Sequence, residues 1–183
     1  MDQLYGRAWP HFRDRWGEML PRRVRAMGDH MVGRVAEAAG RWEPAWRTAI
    51  HGDFRVTNMV FDDPGGDPPF AVFDWEDVRL GSGMLDVAWF LGGCLAPPDR
   101  QSRERALLAS YHRTLIEAGV TGYPFTACWR EYRLAMLDRF IQAVLMAASL
   151  SGGSAHDRQL AKVVAERFGV ASTDLALPEL CGV

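Results

Sequence analysis

The sequence predicts a mainly α-helical fold (α+β) with one small β-hairpin embedded in it. Apolar residues recur at three- and four-residue spacing over residues 4–39 and again from Met84 onward, a period typical of helices. Between these regions, a cluster of Asp, Pro and Gly at 62–69 separates two short strand-like runs, 59–61 and 70–73. A polar turn cluster between two such runs is typical of a hairpin. We expect a single domain over residues 1–183.

The boundaries of the first helices follow from proline and glycine. Pro21 is predicted to begin a second helix within residues 4–39, and Gly40 to end it. A later helix is predicted over about residues 100–118, with Gly119 as its C-cap.

Capping residues define the last two predicted helices. Thr126 is predicted to cap a long apolar helix. Ser154 and Asp157 have the spacing of a capping box for a final helix that ends near Gly169.

Composition excludes several classes of protein. The chain is 48% hydrophobic and carries a net charge of −2, so it can bury a core and lacks the basic excess of a general nucleic-acid binder. Its three cysteines are far apart, which disfavours a disulfide framework and favours a reducing compartment. The most apolar run, 140–150, is too short to span a bilayer. We therefore expect a cytoplasmic protein with neither nucleic-acid nor membrane partners.

The middle third of the chain is acidic. Residues 51–100 carry nine acidic and three basic side chains, a net charge of −6. Such a cluster binds metals or cations, or lies in solvated turns. For Asp62, Asp63 and Asp67 we favour the second interpretation, that they solvate the hairpin loop.

Three polar residues within this region form a candidate site. Asp53 and Asn58 lie five positions apart in one predicted loop, and Asp74 follows the hairpin. Because a hairpin brings its two ends together, Asp74 is expected to return to the neighbourhood of Asn58. Two carboxylates and an amide oxygen in one place suit phosphoryl transfer, in which one carboxylate accepts the hydroxyl proton and hard oxygen ligands hold Mg²⁺.

The sequence around these residues resembles a known superfamily. His51-Gly52-Asp53-x-x-x-x-Asn58, followed by a hairpin and Asp74-Trp75-Glu76, is similar to the motif of the aminoglycoside phosphotransferase and choline kinase-like superfamily. The ecdysteroid kinase-like branch is also similar. The resemblance implies the helical C-terminal lobe of a protein-kinase-like fold, with ATP and Mg²⁺ as cofactors and a hydroxyl group on a small molecule as acceptor.

The resemblance also implies roles for individual residues. Asp53 would be the catalytic base, and Asn58 and Asp74 would bind Mg²⁺ with its nucleotide. Two further residues would support the loop: His51 would brace it, and Asp86 would hold its backbone. Glu76 would contact substrate or metal.

The sequence departs from the superfamily pattern on its N-terminal side. The superfamily has a β-rich N-terminal lobe whose lysine holds the nucleotide phosphates, whereas no lysine precedes Asp53 here and residues 1–47 read as helical. We therefore expect a C-terminal lobe alone: the N-terminal lobe was lost, lies on another chain, or belongs to a longer protein of which this sequence is a fragment. The expected partner is a separate N-terminal lobe or a second copy of the chain.

Three functions remain open at this point. The first is an ATP-dependent small-molecule kinase, for which the acidic region weakly favours a cationic acceptor. The second is a non-catalytic or truncated kinase-like lobe that acts as a binding module. The third is a metal-dependent phosphohydrolase using His51, Asp53 and Asp74, although the other histidines lack ligand spacing.

Overall fold

Helices make up most of the chain, so the predicted mainly α fold is confirmed. The computed structural model describes residues 1–40, 42–44, 46–61 and 70–183. The helices are α1 (Asp2–Trp16), α2 (Arg22–Met31), α3 (Val35–Gly40), α4 (Met84–Cys94), α5 (Pro97–Glu117), α6 (Phe125–Leu150), α7 (Ala155–Asp174) and α8 (Leu177–Leu180). The strands are β1 (Thr48–Ile50), β2 (Met59–Phe61), β3 (Phe70–Val72) and β4 (Arg79–Gly81).

Helix α6 is the centre of the core. It packs against α7, α4 and α1. Aromatic rings join α1 to α6: Phe140 meets Phe12 edge to face at 6.4 Å between centroids, and Trp9 stacks on Phe12. Large buried rings supply most of the apolar area that such a core removes from water.

The N-terminal region contains three helices rather than the two expected. Pro21 immediately precedes α2 as its N-cap residue, as predicted. The prediction that this helix continues to Gly40 is wrong, because Gly33 adopts a left-handed backbone (φ 74°) between α2 and α3. A residue in that conformation interrupts a right-handed helix.

Helix α6 begins two residues earlier than the cap prediction requires. The prediction that Thr126 caps it is wrong: Pro124 is the N-cap residue, and its carbonyl accepts hydrogen bonds from the N–H groups of Ala127 and Cys128. Thr126 therefore lies inside the first turn. At the end of the preceding helix, Gly119 has φ 96°, as a glycine at a helix C-terminus commonly does.

The capping box of α7 is formed as predicted. The Ser154 hydroxyl accepts from the Asp157 N–H at 3.2 Å, and Asp157 Oδ2 accepts from the Ser154 N–H at 2.8 Å. The predicted end near Gly169 is wrong, because buried Ala171 and Ser172 extend the packed face to Asp174.

Two small antiparallel sheets carry the functional region. Strands β2 and β3 form the predicted hairpin, with Met59 opposite Val72 and Phe61 opposite Phe70. Strands β1 and β4 pair from Thr48 opposite Gly81 to Ile50 opposite Arg79. The second pair was not predicted. The hairpin loop at 62–69, with Asp62, Asp63 and Asp67, lies outside the described residues.

The described residues also bear on the expectations about membrane spans and cysteines. Within the described ranges, none of the helices has both the length and the apolar character needed to cross a bilayer. The three cysteines are free thiols.

Candidate functional site

The β1–β4 pair brings the candidate loop to the start of α4. Strand β1 ends at Ile50, which is almost fully buried, and the loop begins at His51. Strand β4 leads after two residues into α4. The pairing is antiparallel, with Ile50 opposite Arg79 at the start of β4, and the first turn of α4 reaches the first residues of the loop through Asp86.

Asp86, in the first turn of α4, binds the backbone of that loop. Its Oδ2 accepts from the His51 N–H at 2.7 Å and its Oδ1 accepts from the Gly52 N–H at 2.9 Å. Gly52 has φ 89°, and a Cβ there would lie 2.6 Å from Arg79 Nη1 and 2.7 Å from the Asp77 carbonyl. The tight, left-handed turn therefore requires glycine.

Asp53 is held on both of its carboxylate oxygens. Trp89 Nε1 donates to Oδ1 at 2.7 Å, and Asn58 Nδ2 donates to Oδ2 at 3.0 Å. Arg55 Nε lies 2.9 Å from the same Oδ2, at ion-pair distance, although its N–H is not directed at an acceptor. A carboxylate has about four acceptor positions, so this arrangement fixes the group and leaves room for a further donor.

His51 is buried, and both of its ring nitrogens are hydrogen-bonded. Its Nδ1 accepts from the Asp53 N–H at 3.3 Å, which leaves Nε2–H to donate to the Phe73 carbonyl at 2.9 Å. The ring also lies 4.7 Å from the Trp75 ring, centroid to centroid. His51 thus connects the loop to the end of the hairpin.

The hairpin returns to Asn58 through Phe73. The Phe73 N–H donates to the Asn58 carbonyl at 3.0 Å, while its carbonyl binds His51. Asp74 follows directly and is exposed, with a left-handed backbone (φ 66°, ψ 57°). The structure therefore places Asp74 one residue beyond a backbone contact with Asn58.

Asn58 and Asp74 supply a donor set that fits Mg²⁺. Asn58 is 5% exposed and uses Nδ2 on both the carboxylate and the carbonyl of Asp53, which leaves its amide oxygen as an acceptor. Asp74 adds an exposed carboxylate. One amide and one carboxylate oxygen suit Mg²⁺, which keeps waters and phosphate oxygens as its other ligands. Among the described residues, at this site as elsewhere, no group of three or more His, Cys, Asp or Glu is arranged to hold a metal.

Glu76 lies apart from the hydrogen-bonded network. It is exposed on the 3-10 turn Trp75–Asp77 that follows Asp74. Trp75 in the same turn donates its indole N–H to the Val72 carbonyl at 3.0 Å.

A cleft of about 630 Å³ opens beside Asp53. Helix α6 forms one wall, and the lining on the loop side includes Gly52 and the charged residues Asp53, Asp77 and Arg79. Asn58 and Asp74 are not among its lining residues. Asp53 therefore lines the open cleft and also contacts Asn58, one of the two candidate metal ligands.

Two residues of this cleft were not predicted from the sequence. Trp89 lies on the apolar helix α4 and holds Asp53. Arg139 of α6 places its guanidinium 5.5 Å from the Trp89 ring centroid. Burial lowers the pKa of Arg139, and Arg79 acts in the same direction. The only sequence signal for Trp89 was its position three residues after Asp86, on the same face of α4.

Comparison with known proteins identifies a family. The model of the phosphotransferase enzyme family (APH) matches residues 5–134, which include Asp53, Asn58, Asp74 and Asp86. The protein named "Probable acyl-CoA dehydrogenase IBR3" from Arabidopsis thaliana is 48% identical over 40 residues, covering 22% of this chain and 5% of that protein. The chain therefore corresponds to a small part of that relative's length. No solved structure matches.

Proposed function

We propose that this chain, which belongs to the phosphotransferase enzyme family, transfers the γ-phosphoryl group of ATP to a hydroxyl group of a small molecule. Family membership confirms the resemblance found in the sequence and indicates phosphotransferase activity with ATP use in general. One observation supports the finer proposal most strongly. The Asp53 carboxylate is fixed by Trp89 and Asn58 at the edge of a cleft that is large enough for a small acceptor.

Asp53 is the proposed base. The acceptor hydroxyl would lie in the cleft and pass its proton to the Asp53 carboxylate as its oxygen bonds to the γ-phosphorus. The bond between that phosphorus and the bridging oxygen breaks, and ADP leaves with the electron pair. Because such transfer depends on positioning, the two hydrogen bonds that orient Asp53 support this role.

Asn58 and Asp74 are the proposed Mg²⁺ ligands. Bound Mg²⁺ would neutralise charge on the nucleotide phosphates. Asn58 would offer its amide oxygen, because its Nδ2 is already directed at Asp53. Asp74 would offer its carboxylate. It directly follows Phe73, whose N–H donates to the Asn58 carbonyl.

His51 and Asp86 are proposed to position these groups. Asp86 holds the N–H groups of His51 and Gly52, and His51 holds both Asp53 and Phe73. Glu76, exposed after Asp74, is proposed to meet substrate or metal.

A second candidate is a binding module that needs a phosphate-holding lobe from another polypeptide. The supporting observation is that residues 2–40 form helices and that Lys162 is the single lysine in the chain. A separate N-terminal lobe or a second copy of this chain is the proposed partner. Under this proposal the site binds nucleotide but transfers phosphate only in the complex.

The test is Asp53→Asn, assayed by ³¹P NMR for ATP-dependent phosphorylation of a pool of small hydroxyl compounds. We expect transfer to fall by about 10²-fold or more, the usual contribution of a general base, in a variant that stays folded at the assay temperature although its NH₂ group faces one of the donors to Asp53. Asp77→Asn makes the same charge change in the same cleft and should lose far less. Transfer that survives Asp53→Asn undiminished would refute the assignment of the base.

A further inference from the structure

Arg139 has a buried hydrogen-bond donor that finds no partner in the described part of the chain. The residue is 4% exposed, its Nε donates to the Leu85 carbonyl at 3.1 Å, and its Nη1 lies 3.8 Å from Asp138 Oδ2. Its Nη2 is buried and has no hydrogen-bond partner among the described residues. An unpaired buried cationic donor is costly, so folded proteins seldom retain one without a use.

The position of Arg139 links this donor to the proposed reaction. It lines the same cleft as Asp53, and its guanidinium lies over Trp89, whose indole N–H binds Asp53. The cationic group and the proposed base are therefore joined through one aromatic ring on the wall of one cleft.

The charged side chains that line the cleft are balanced, because Asp53 and Asp77 accompany Arg79 and Arg139. Arg79 donates from Nη1 to the Asp77 carbonyl. Asp53 is bound by Trp89 and Asn58 and lies at ion-pair distance from Arg55. The feature that favours an anionic group is therefore the buried Nη2 donor of Arg139, which has no hydrogen-bond partner among the described residues.

We propose that the acceptor carries a carboxylate or phosphate group that binds Arg139 while its hydroxyl faces Asp53. The class is a small hydroxy acid or a phosphorylated polyol rather than an amino alcohol or aminosugar. Because Asn58 and Asp74 do not line this cleft, the anionic group belongs to the acceptor and not to the nucleotide. The proposal rests on the proposed function and refines its substrate class.

The anion site would also orient the acceptor. A guanidinium offers two parallel donors to a carboxylate or phosphate, which fixes the rotation of the bound group as well as its position. The hydroxyl proton then passes to Asp53, the acceptor oxygen bonds to the γ-phosphorus, and ADP leaves with the bridging oxygen.

Binding of small probes without nucleotide tests the proposal. The probes are glycerate and glycerol 3-phosphate, which are anionic, glyceramide, which is the neutral amide of glycerate, and ethanolamine, which is cationic. Dissociation constants are measured by ligand-observed NMR on the full chain. We expect the anionic probes to bind more tightly than glyceramide or ethanolamine by about tenfold or more, a typical gain for a hydrogen bond to a charged group. Equal or tighter binding of ethanolamine or glyceramide would overturn the proposal.

Variants of two arginines on α6 separate the anion site from general effects. Arg139→Gln should weaken anionic probes about tenfold or more, and Arg139→Lys should weaken them less, because it keeps charge but loses the planar fork. Arg133→Gln is the matched control, since Arg133 donates to the Leu175 and Ala176 carbonyls and does not line the cleft. Anion affinity that is equal in the wild type and the folded Arg139 variants would overturn the proposal. If Arg139→Gln does not fold, the probe comparison on the wild type decides.

Two further measurements identify the source of the anion. The ratio of glycerate to glycerol 3-phosphate affinity distinguishes a carboxylate from a phosphate acceptor. Anion binding should persist in the presence of ATP and Mg²⁺, and its abolition by them would overturn the proposal, because the group would then be a nucleotide phosphate. Binding of ATP and Mg²⁺ is measured separately, as the stabilisation that depends on Asp74. If ATP and Mg²⁺ do not bind while anions still bind in an Arg139-dependent way, the proposed function is contradicted and the anion site remains.

Discussion

The indole nitrogen of Trp89 lies 2.7 Å from Asp53 Oδ1 and donates a hydrogen bond to it. The two residues are 36 positions apart, on α4 and on the loop after β1. The same side chain also packs in the core, because the Trp89 ring stacks on Phe168 of α7 at 5.4 Å between centroids. The rigid helical core therefore sets the orientation of the proposed base.

Removal of the indole donor tests this relationship. Trp89→Phe keeps an aromatic ring against Phe168 but leaves Oδ1 of Asp53 without its donor. A hydrogen bond to a charged group contributes about 1.5–3 kcal/mol, so we expect a loss of transfer of about 10- to 100-fold. The loss should appear mainly in kcat, since the cleft keeps its shape.

Trp129→Phe is the matched control for this prediction. Trp129 lies on α6, where its ring packs beside Tyr132 and under Arg105. Its substitution should leave transfer unchanged. Equal effects of the two changes would show that Trp89 acts only through packing.

Asp86 is predicted to be the main stabiliser of the loop backbone. Asp86→Asn replaces one charged acceptor with an NH₂ group that faces an N–H, so one of the two backbone donors loses its partner. We expect a decrease of about 2 kcal/mol in the free energy of unfolding and faster amide hydrogen exchange at His51 and Gly52. Asp99→Asn, in the first turn of α5, is the control. Unchanged exchange at both amides would disprove this role.

The capping box of α7 gives a prediction about pH. Hydrogen bonds from Ser154 lower the pKa of Asp157 below its ordinary value of 3.8. A carboxyl whose pKa is lower in the folded state stabilises that state above the unfolded value, and the effect is lost as the pH falls through the folded value. Asp157→Asn should therefore be less stable than wild type at pH 5 and above, and the difference should shrink as the pH falls below about 3.8.

Urea unfolding of the two proteins between pH 2.5 and pH 7 checks this prediction. Glu166→Gln is the control, since Glu166 is exposed in the middle of the same helix and takes no part in the cap. A difference between wild type and Asp157→Asn that stays constant across this range would contradict the linkage.

Local patterns were sufficient for much of the fold. The three- and four-residue apolar spacing predicted the helices, and the turn cluster between two strand-like runs predicted the hairpin. The Ser154–Asp157 spacing predicted the capping box because both partners lie within four residues. In each case the interacting groups are close in sequence, so their pattern contains the information.

The features that the sequence did not predict depend on contacts between residues that lie far apart in the chain. Strands β1 and β4 have only three residues each and their pairing spans about thirty positions, so no alternation marks them. Trp89 and Arg139 lie in apolar helices, where an aromatic or amphipathic side chain is interpreted as core. Their roles depend on the loop and cleft that the fold brings beside them. Thr126 was assigned as a cap because its type suits one, but the Pro124 carbonyl begins the helix.

The position of Asp74 offers variants that separate metal binding from backbone strain. Its left-handed backbone is tolerated better by asparagine and glycine than by most residues. Asp74→Asn and Asp74→Gly therefore remove the carboxylate without adding strain, and the apo proteins should unfold at or above the wild-type midpoint.

The most direct test of the account is thermal unfolding of this chain with ATP and Mg²⁺, ATP alone and Mg²⁺ alone. We predict that ATP with Mg²⁺ raises the midpoint more than either component does, because a ligand that binds the folded state stabilises it. Both Asp74 variants should lose this extra rise. A midpoint that ATP and Mg²⁺ leave unchanged, or a rise that persists in both variants, would contradict a nucleotide site built on Asn58 and Asp74.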